Sequence, residues 1–282
     1  MDRTINLKSK PRSSWLGTRE LVVVVSSIVL TTVGIKAADN FMNAGDGQGN
    51  GPCPENMVQV LSAGGSFCID KYEASAGPDC PHASPATQTE TRNNLDNVNC
   101  KAASVKGALP WRNISQNQAA SACAKAGKRL PTNREWFQSA MGTPDPEIGW
   151  GPDDCNVNSN WGSQPGQAGY GSKCISAAGA NDMVGNVWEW VQGTIYNGEY
   201  DNRVLPKQGF VSGVDENSLP TETAEAADPN YDEDYLYIKN SGTRGIARGG
   251  YWDNKMEAGI NSSYMVSSPS FAGAGIGFRC VK

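Results

Sequence analysis

The sequence predicts one loop-rich domain of strands and short helices that disulfide bonds hold together. Three observations carry this prediction. A strand hairpin and two short capped helices are recognisable before residue 142, the chain after it is rich in Gly, Asn and Ser without a helical apolar period, and eight cysteines are spread over both parts. So much irregular chain needs disulfides, buried tryptophans or bound ions to fix its conformation.

The first 36 residues have the composition of an export segment. Basic residues dominate positions 1–20, and an apolar run follows over residues 21–35. The run is shorter than the roughly 20 residues that a spanning helix needs, and Ala37 offers a small residue near a cleavage point. Residues 1–36 are therefore predicted to be a signal peptide or an uncleaved membrane anchor. Either way the protein is extracytoplasmic (periplasmic, secreted or envelope-anchored), and only an uncleaved segment would contact the membrane.

A linker and a single folded domain are predicted after this segment. Residues 37–51 are rich in Gly, Asn and Asp, as flexible linkers are, and the domain is expected over residues 52–282. The net charge of -5, without a long basic run after residue 20, gives no electrostatic basis for binding nucleic acid.

The cysteines predict a disulfide framework. All eight follow the export segment, and an even number in an oxidising compartment indicates four bridges. Thiolate ligation of a metal is disfavoured because no C-x2-C spacing occurs and the one histidine, His82, lies in a Pro-rich loop. The eight are Cys53, Cys68, Cys80, Cys100, Cys123, Cys155, Cys174 and Cys280.

The domain is expected to open with a hairpin. Residues 57–61 and 67–72 have strand composition, with a turn at Gly64 and Gly65 between them. Residues 74–110 contain several prolines and little periodicity, which indicates an irregular surface loop.

Two helices follow, each with a capping box. Ser115 and Gln118 predict the start of the first, which runs to Lys125, and Thr132 and Glu135 predict the start of the second. After residue 142 the chain is predicted to be mostly loop, with short strands at 187–191 and 277–281. The acidic residues 232–234 are interpreted as a solvated loop, with an acidic cluster that binds a cation as the alternative.

Four segments in order resemble the formylglycine-generating enzyme family, also called the sulfatase-modifying-factor family. They are MVQVL-x5-FCIDKYEAS, AGKRLPTNREWFQSAMG, NDMVGNVWEWV, and RGGYWDN with GIGFRC. The resemblance covers about residues 53–282 and implies an α+β, C-type lectin-like fold with many loops. It also implies a bridge between Cys123 and Cys280. Sequence proximity alone suggests the other pairs, which are Cys53–Cys68, Cys80–Cys100 and Cys155–Cys174.

Most residues of these motifs are interpreted as structural. Four tryptophans are expected to anchor a loop-rich core, namely Trp136, Trp188, Trp190 and Trp252. Arg129, Glu135 and Glu189 are expected to satisfy buried polar groups.

The resemblance implies calcium at two places. The positions matching the first are Asp182, Gly185, Val187 and Glu189, and two carboxylates with two backbone carbonyls suit a hard cation. A second would use Asn156 and Val157, although its downstream carboxylate has no clear counterpart here. The alternative is that Asp182 and Glu189 only hydrogen-bond backbone in a turn.

The oxidase chemistry of the family is not expected. Family members hold copper between two cysteines shortly after the RGG turn, because a cuprous ion requires soft thiolates. Asn254 and Gly259 occupy the approximate places here, and no cysteine lies between Gly250 and Gly277. Iron-dependent relatives need a histidine cluster that one histidine cannot supply. Neither copper nor an oxidase activity is therefore predicted.

The loop at 251–271 is predicted to bind a protein or glycan ligand. Aromatic, Asn and Ser residues on loops braced by a rigid scaffold are typical of adaptable binding surfaces. A solvated loop is the alternative. The candidate binding residues are Tyr251, Trp252, Asp253, Asn254, Asn261, Ser263, Tyr264 and Phe271.

The leading hypothesis is thus an exported, non-catalytic binding module of this family. Three alternatives remain, which are an oxidase of the family with unidentified ligands, a structural component of an envelope complex, and a display protein. The last arises because the terminal stretch also resembles the variable segment of retroelement-diversified proteins.

Overall fold

The computed structural model describes residues 53–62, 65–145 and 149–282. The predicted export segment, the linker and Gly64 lie outside these residues. Within them there are three α-helices and thirteen strands, and none of the helices has the length and apolar character to cross a membrane. The helices are α1 (Gln88–Asp96), α2 (Gln116–Lys125) and α3 (Asn133–Ala140). The strands are β1 (Met57–Ser62), β2 (Gly65–Asp70), β3 (Ala74–Ala76), β4 (Ala102–Ser104), β5 (Trp188–Tyr196), β6 (Glu199–Tyr200), β7 (Arg203–Val204), β8 (Gly209–Val214), β9 (Pro220–Ala224), β10 (Tyr235–Ile238), β11 (Thr243–Arg248), β12 (Ser263–Met265) and β13 (Ile276–Phe278).

The hairpin and both capped helices are confirmed. β1 and β2 pair antiparallel from Met57 opposite Asp70. At the start of α2 the Ser115 hydroxyl accepts from the Gln118 backbone N–H at 3.3 Å, and the Gln118 side chain accepts from the Ser115 N–H at 3.0 Å. α3 has the same reciprocal box. Both caps satisfy backbone donors that a helix start leaves unpaired.

The segment at 74–110 is more ordered than predicted. It contains α1 and the antiparallel pair of β3 and β4. The sequence QTETRNNLD has no apolar stripe, so helical periodicity could not reveal α1. The helix is held through polar contacts instead, since Thr87 caps it and the Trp111 indole donates to the buried Thr91 hydroxyl at 3.1 Å.

The chain after residue 142 is also more regular than predicted. Its strands form a nine-stranded sheet with the order β7-β6-β5-β11-β12-β10-β8-β9, in which β13 pairs with β5. Several of these strands have only two to four residues and pair with distant segments, so local patterns underestimate them.

Two apolar clusters form the main core. Trp111, Trp188, Trp190 and Phe278 belong to the first, and Trp136, together with aliphatic side chains of the sheet, belongs to the second. Trp252 was predicted as a core anchor but is half-buried on the surface.

The four predicted disulfides are present, and all eight cysteines are used in them. The Cys123–Cys280 bridge links α2 to the segment after β13, across 157 residues of chain. The predicted α+β, loop-rich and disulfide-braced architecture is confirmed.

Candidate functional site

The loop at 251–271 leaves β11 through two glycines that no other residue could replace without strain. Gly249 and Gly250 have φ of +93° and +90°. A Cβ on Gly249 would lie 2.6 Å from the Met183 carbonyl oxygen, and one on Gly250 would lie 2.4 Å from the Ala258 Cβ. The RGG turn is therefore a backbone requirement for starting the loop.

Seven of the eight candidate binding residues have side chains that reach the surface. Asp253 and Phe271 are exposed, Phe271 by 43%, and five others are half-buried. The exception is Ser263, which is fully buried because β12 alternates its side chains and turns Ser263 and Met265 inward while Tyr264 faces outward. Ser263 is thus removed from the predicted binding surface.

An aromatic row leads away from this surface across the neighbouring strands, from Tyr264 in the loop through Tyr237 and Tyr235 to Phe210 on β8. Strand register places Tyr235 opposite Phe210 and Tyr237 opposite Tyr264. Successive ring centroids are 6.4, 4.6 and 5.1 Å apart. Sequence reasoning missed Tyr237, Tyr235 and Phe210, although the alternation in YLYI was a signal for a strand with one aromatic face.

Tyr237 connects the aromatic row to Asn254, which the resemblance puts at the approximate place of the first family cysteine. Its hydroxyl donates to the Glu257 carboxylate and accepts from the Asn254 side-chain amide at 3.0 Å. The side-chain oxygen of Asn254, Oδ1, accepts from the Tyr251 backbone N–H at 2.9 Å. Burial raises the pKa of Glu257 above its ordinary value. Asn254 therefore stabilises the loop through both its side-chain oxygen, which bonds to Tyr251, and its side-chain nitrogen, which bonds to Tyr237.

Gly259, which the resemblance puts at the approximate place of the second family cysteine, has no room for a side chain. A Cβ on Gly259 would lie 1.7 Å from Asp234 Oδ1 and 2.5 Å from Asp145 Oδ2. Asp234 is held there because it accepts from the Asn261 N–H at 2.7 Å and the Ser262 hydroxyl at 2.8 Å. The predicted solvated loop is therefore wrong for Asp234, which is 1% exposed.

Two carboxyl groups face each other at this place. Burial, followed by the charges of Asp234 and Asp232, raises the pKa of Asp145 to about 9. Burial also raises the pKa of Asp234 to about 6. The pair consequently retains a proton at neutral pH.

The candidate metal centre lies in a second buried cluster, around Glu189 and Asp182. Both Glu189 oxygens accept from the Arg279 guanidinium, at 2.5–2.9 Å, and one also accepts from the Trp136 indole at 2.7 Å. Asp182 Oδ2 accepts from the Gly169 N–H at 2.5 Å, whereas its Oδ1 is buried without a partner among the described residues. Burial raises the pKa of Asp182 to about 7.

Sequence reasoning missed the third carboxylate of this cluster, Glu73. It is fully buried and accepts from the Asn186 side-chain amide at 2.6 Å and the Val187 N–H at 3.2 Å. Burial, then the charges of Asp182 and Glu189, raise its pKa well above its ordinary value. The three carboxyl groups of Glu73, Asp182 and Glu189 thus lie around the single guanidinium of Arg279. Their excess negative charge requires protons or a further cation.

The predicted calcium ligands fit this arrangement only in part. Asp182 and Asn156 each have a buried side-chain oxygen that finds no partner in the described part of the chain, which suits a hard cation. The Glu189 oxygens are taken by Arg279, and the Val157 carbonyl accepts from the Lys255 N–H at 2.7 Å. No group of three or more acidic, His or Cys side chains in the described ranges is arranged to hold a metal. A cation at the first predicted place would depend on Asp182 and the carbonyls of Gly185 and Val187, and one at the second would depend on Asn156.

Calcium binding is expected to stabilise the domain if these oxygens hold the ion. Adding Ca²⁺ to chelator-treated protein at mildly alkaline pH should raise the free energy of unfolding, by about 2.7 kcal/mol at roughly 100 times Kd. Asp182→Asn should abolish the gain, and Glu216→Gln, an exposed charge change of the same kind, should retain it. Thermal unfolding measures both. A stability independent of Ca²⁺ in the unaltered protein would argue for protons as the compensating charge.

Comparison with known proteins identifies a matching family model, described as the sulfatase-modifying factor enzyme 1-like domain, over residues 30–282. A mouse (Mus musculus) protein named inactive C-alpha-formylglycine-generating enzyme 2 is 31% identical over 124 residues, which is 38% of this chain and 39% of that protein. Hercynine oxygenase of Mycobacterium tuberculosis is 35% identical over 91 residues, which is 29% of this chain and 21% of that protein. The chain thus spans about two fifths or less of the curated relatives it matches.

Among solved structures, the Major Tropism Determinant P3c variant aligns with a TM-score of 0.40 at 20% identity. The alignment covers 82% of this chain and 53% of that one.

Proposed function

Since this chain belongs to the sulfatase-modifying factor enzyme 1-like domain family, we propose that it is an exported, non-catalytic member that binds a protein or glycan through the loop at 251–271. The observation that carries the proposal is the filled space at Gly259. The resemblance gives Gly259 as the approximate place of the second copper-binding cysteine, and a side chain at Gly259 would meet the Asp234 carboxylate. The mouse relative, which is named inactive, supports the same interpretation.

The cysteines of this chain supply no thiolate for a cuprous ion. All eight are oxidised in disulfides, and a disulfide sulfur does not replace the soft thiolate ligands that Cu(I) needs. Asn254, at the first position, is engaged with Tyr237 and Tyr251. Four disulfides also favour an oxidising, extracytoplasmic compartment.

A preorganised loop supports binding as the function. The Tyr251 and Trp252 rings pack edge to face at 5.0 Å. Trp252 is fixed on both sides, because its N–H donates to the Asn186 carbonyl at 3.2 Å and its carbonyl accepts from the Ser159 N–H at 2.6 Å. Half-exposed aromatic rings on a braced loop provide contact area at low entropic cost.

A restoration experiment tests the non-catalytic part. The purified full chain and its Asn254→Cys/Gly259→Cys variant are incubated with a sulfatase-motif peptide, copper, thiol and oxygen, and the peptide is analysed by mass spectrometry beside an active enzyme of the family. Neither form should convert the peptide cysteine to an aldehyde, because the Asp234 carboxylate blocks the second site. Conversion by the unaltered chain would refute the proposal.

The binding part is tested on a panel of immobilised extracellular proteins and glycans. A ligand retained by the unaltered chain should be lost with Trp252→Ala/Phe271→Ala. It should be kept with Val204→Ala, which removes an apolar side chain that is 71% exposed and lies on β7. Equal loss with both variants would remove the loop as the binding surface.

A further inference from the structure

A groove of about 770 Å³ lies on β8, β9 and the start of β10 and is partly open to solvent. None of the residues that line it belongs to the loop at 251–271. Its side chains are aromatic, hydroxyl, amide and carboxylate groups. We propose that this groove is a separate binding site for a neutral oligosaccharide.

Two aromatic rings form the apolar wall of the groove. Phe210 and Tyr235 lie opposite each other on antiparallel strands, and their rings are perpendicular at 5.1 Å between centroids. Both side chains are half-buried, so each keeps part of its ring accessible. Their neighbours Val211 and Leu236 point to the other side of the sheet and are fully buried. Ring surfaces fixed in this way can pack against the apolar C–H face of a sugar.

The polar side chains of the groove offer both donors and acceptors. Gln208 and Ser212 carry an amide and a hydroxyl, and the Gln208 amide lies 3.5 Å from the Tyr235 hydroxyl. Glu222 and Glu225 are exposed carboxylates in the lining, each of which can accept from two hydroxyls. Sugar hydroxyls act as donors and acceptors at once, so this mixture suits them better than it suits a purely apolar ligand.

The charge around the groove selects against anions. The lining contains one cationic side chain, Lys207, and two anionic ones, Glu222 and Glu225. The same segment, 221–234, adds Asp228, Asp232 and Glu233 at the surface and contains no Lys or Arg. Acidic polysaccharides and phosphorylated ligands would therefore be repelled.

At the base of the groove, strands β8 and β9 lie very close together. A Cβ on Gly209 would lie 2.8 Å from the Ala224 carbonyl oxygen, so β8 and β9 reach their spacing only because this residue is glycine. The Thr223 hydroxyl donates to the Lys207 carbonyl at 2.8 Å and ties the two walls together. The site is thus formed before a ligand arrives.

Calorimetric titration of the purified full chain tests the proposal. The probes are cello-, manno-, malto- and chito-oligosaccharides, with polygalacturonate as the anionic comparison. At least one neutral probe should bind, and Phe210→Ala should weaken it by at least about tenfold, the effect of one lost aromatic contact. Gln208→Ala, an exposed change unable to unfold the domain, should weaken it as well. Phe271→Ala, on the other surface, should leave the affinity unchanged.

Two results would overturn the inference. One is the absence of binding by every neutral probe, or binding of the anionic polymer alone. The other is binding that survives Phe210→Ala and Gln208→Ala but is lost with Trp252→Ala/Phe271→Ala, which would assign the glycan to the loop at 251–271 and leave the proposed function intact.

Discussion

Arg279→Met is expected to lower the free energy of unfolding by about 4 kcal/mol, because it leaves a buried carboxylate without its counter-charge. Arg279 is 0% and Glu189 1% exposed, with 2.5 Å between Nη2 and Oε1. The guanidinium also donates to the Asp70 and Asn181 carbonyls, at 3.0 and 2.8 Å. Urea unfolding followed by tryptophan fluorescence measures the loss.

The matched control is Arg129→Met. Arg129 pairs with Glu135 at the same 2.5 Å, but its side chain is 47% exposed. Burial alone would raise the pKa of Glu135, yet the hydrogen bonds from Arg129 and Thr132 outweigh it and lower that pKa. An ion pair this exposed contributes less than about 1 kcal/mol. Equal losses in the two variants would mean that burial does not determine what Arg279 contributes.

Removing the Cys123–Cys280 bridge with Cys123→Ala/Cys280→Ala is expected to cost about 5 kcal/mol. In the chain-entropy model the effect comes from the unfolded state, whose ends the bridge holds across 157 residues. Both cysteines are also 0% exposed, so the change removes packed sulfur atoms from the core. The variant should unfold at a much lower urea concentration under non-reducing conditions.

The comparison bridge is Cys80–Cys100, which spans 20 residues and lies nearer the surface. Cys80→Ala/Cys100→Ala should cost about 3 kcal/mol by the same relation. A larger loss for this pair than for Cys123–Cys280 would contradict the loop-length argument and indicate that local structure around α1 dominates.

Local sequence patterns predicted the elements whose signals are local. Capping boxes identified α2 and α3 because Ser115 and Thr132 bond to residues three positions on. The same reasoning failed for α1, whose stability comes from Thr87 and from the distant Trp111. It also failed for β8 and β10, because the formation of strands this short depends on packing against the strands they pair with.

In the candidate site, too, some features could be predicted from the local sequence and others depended on contacts between distant segments. That no cysteine lies between Gly250 and Gly277 was readable from the sequence alone. That Asp234 fills the space at Gly259, and that Tyr237 supports Asn254, depended on which strands come together. Ser263 was misassigned because composition does not indicate which face of a strand a residue occupies.

By itself, the sequence determined the family, the disulfide framework, the capped helices and the absence of cysteine between Gly250 and Gly277, because each of these depends on residue identity and short-range spacing. Only the tertiary structure decided the cluster of Glu73, Asp182 and Glu189 around Arg279, the aromatic row and the groove on β8 and β9. The physical reason is that burial and buried hydrogen bonds arise between segments far apart in the chain, such as the Arg279 guanidinium and the Asp70 backbone carbonyl. The free energy of such a contact depends on the whole fold.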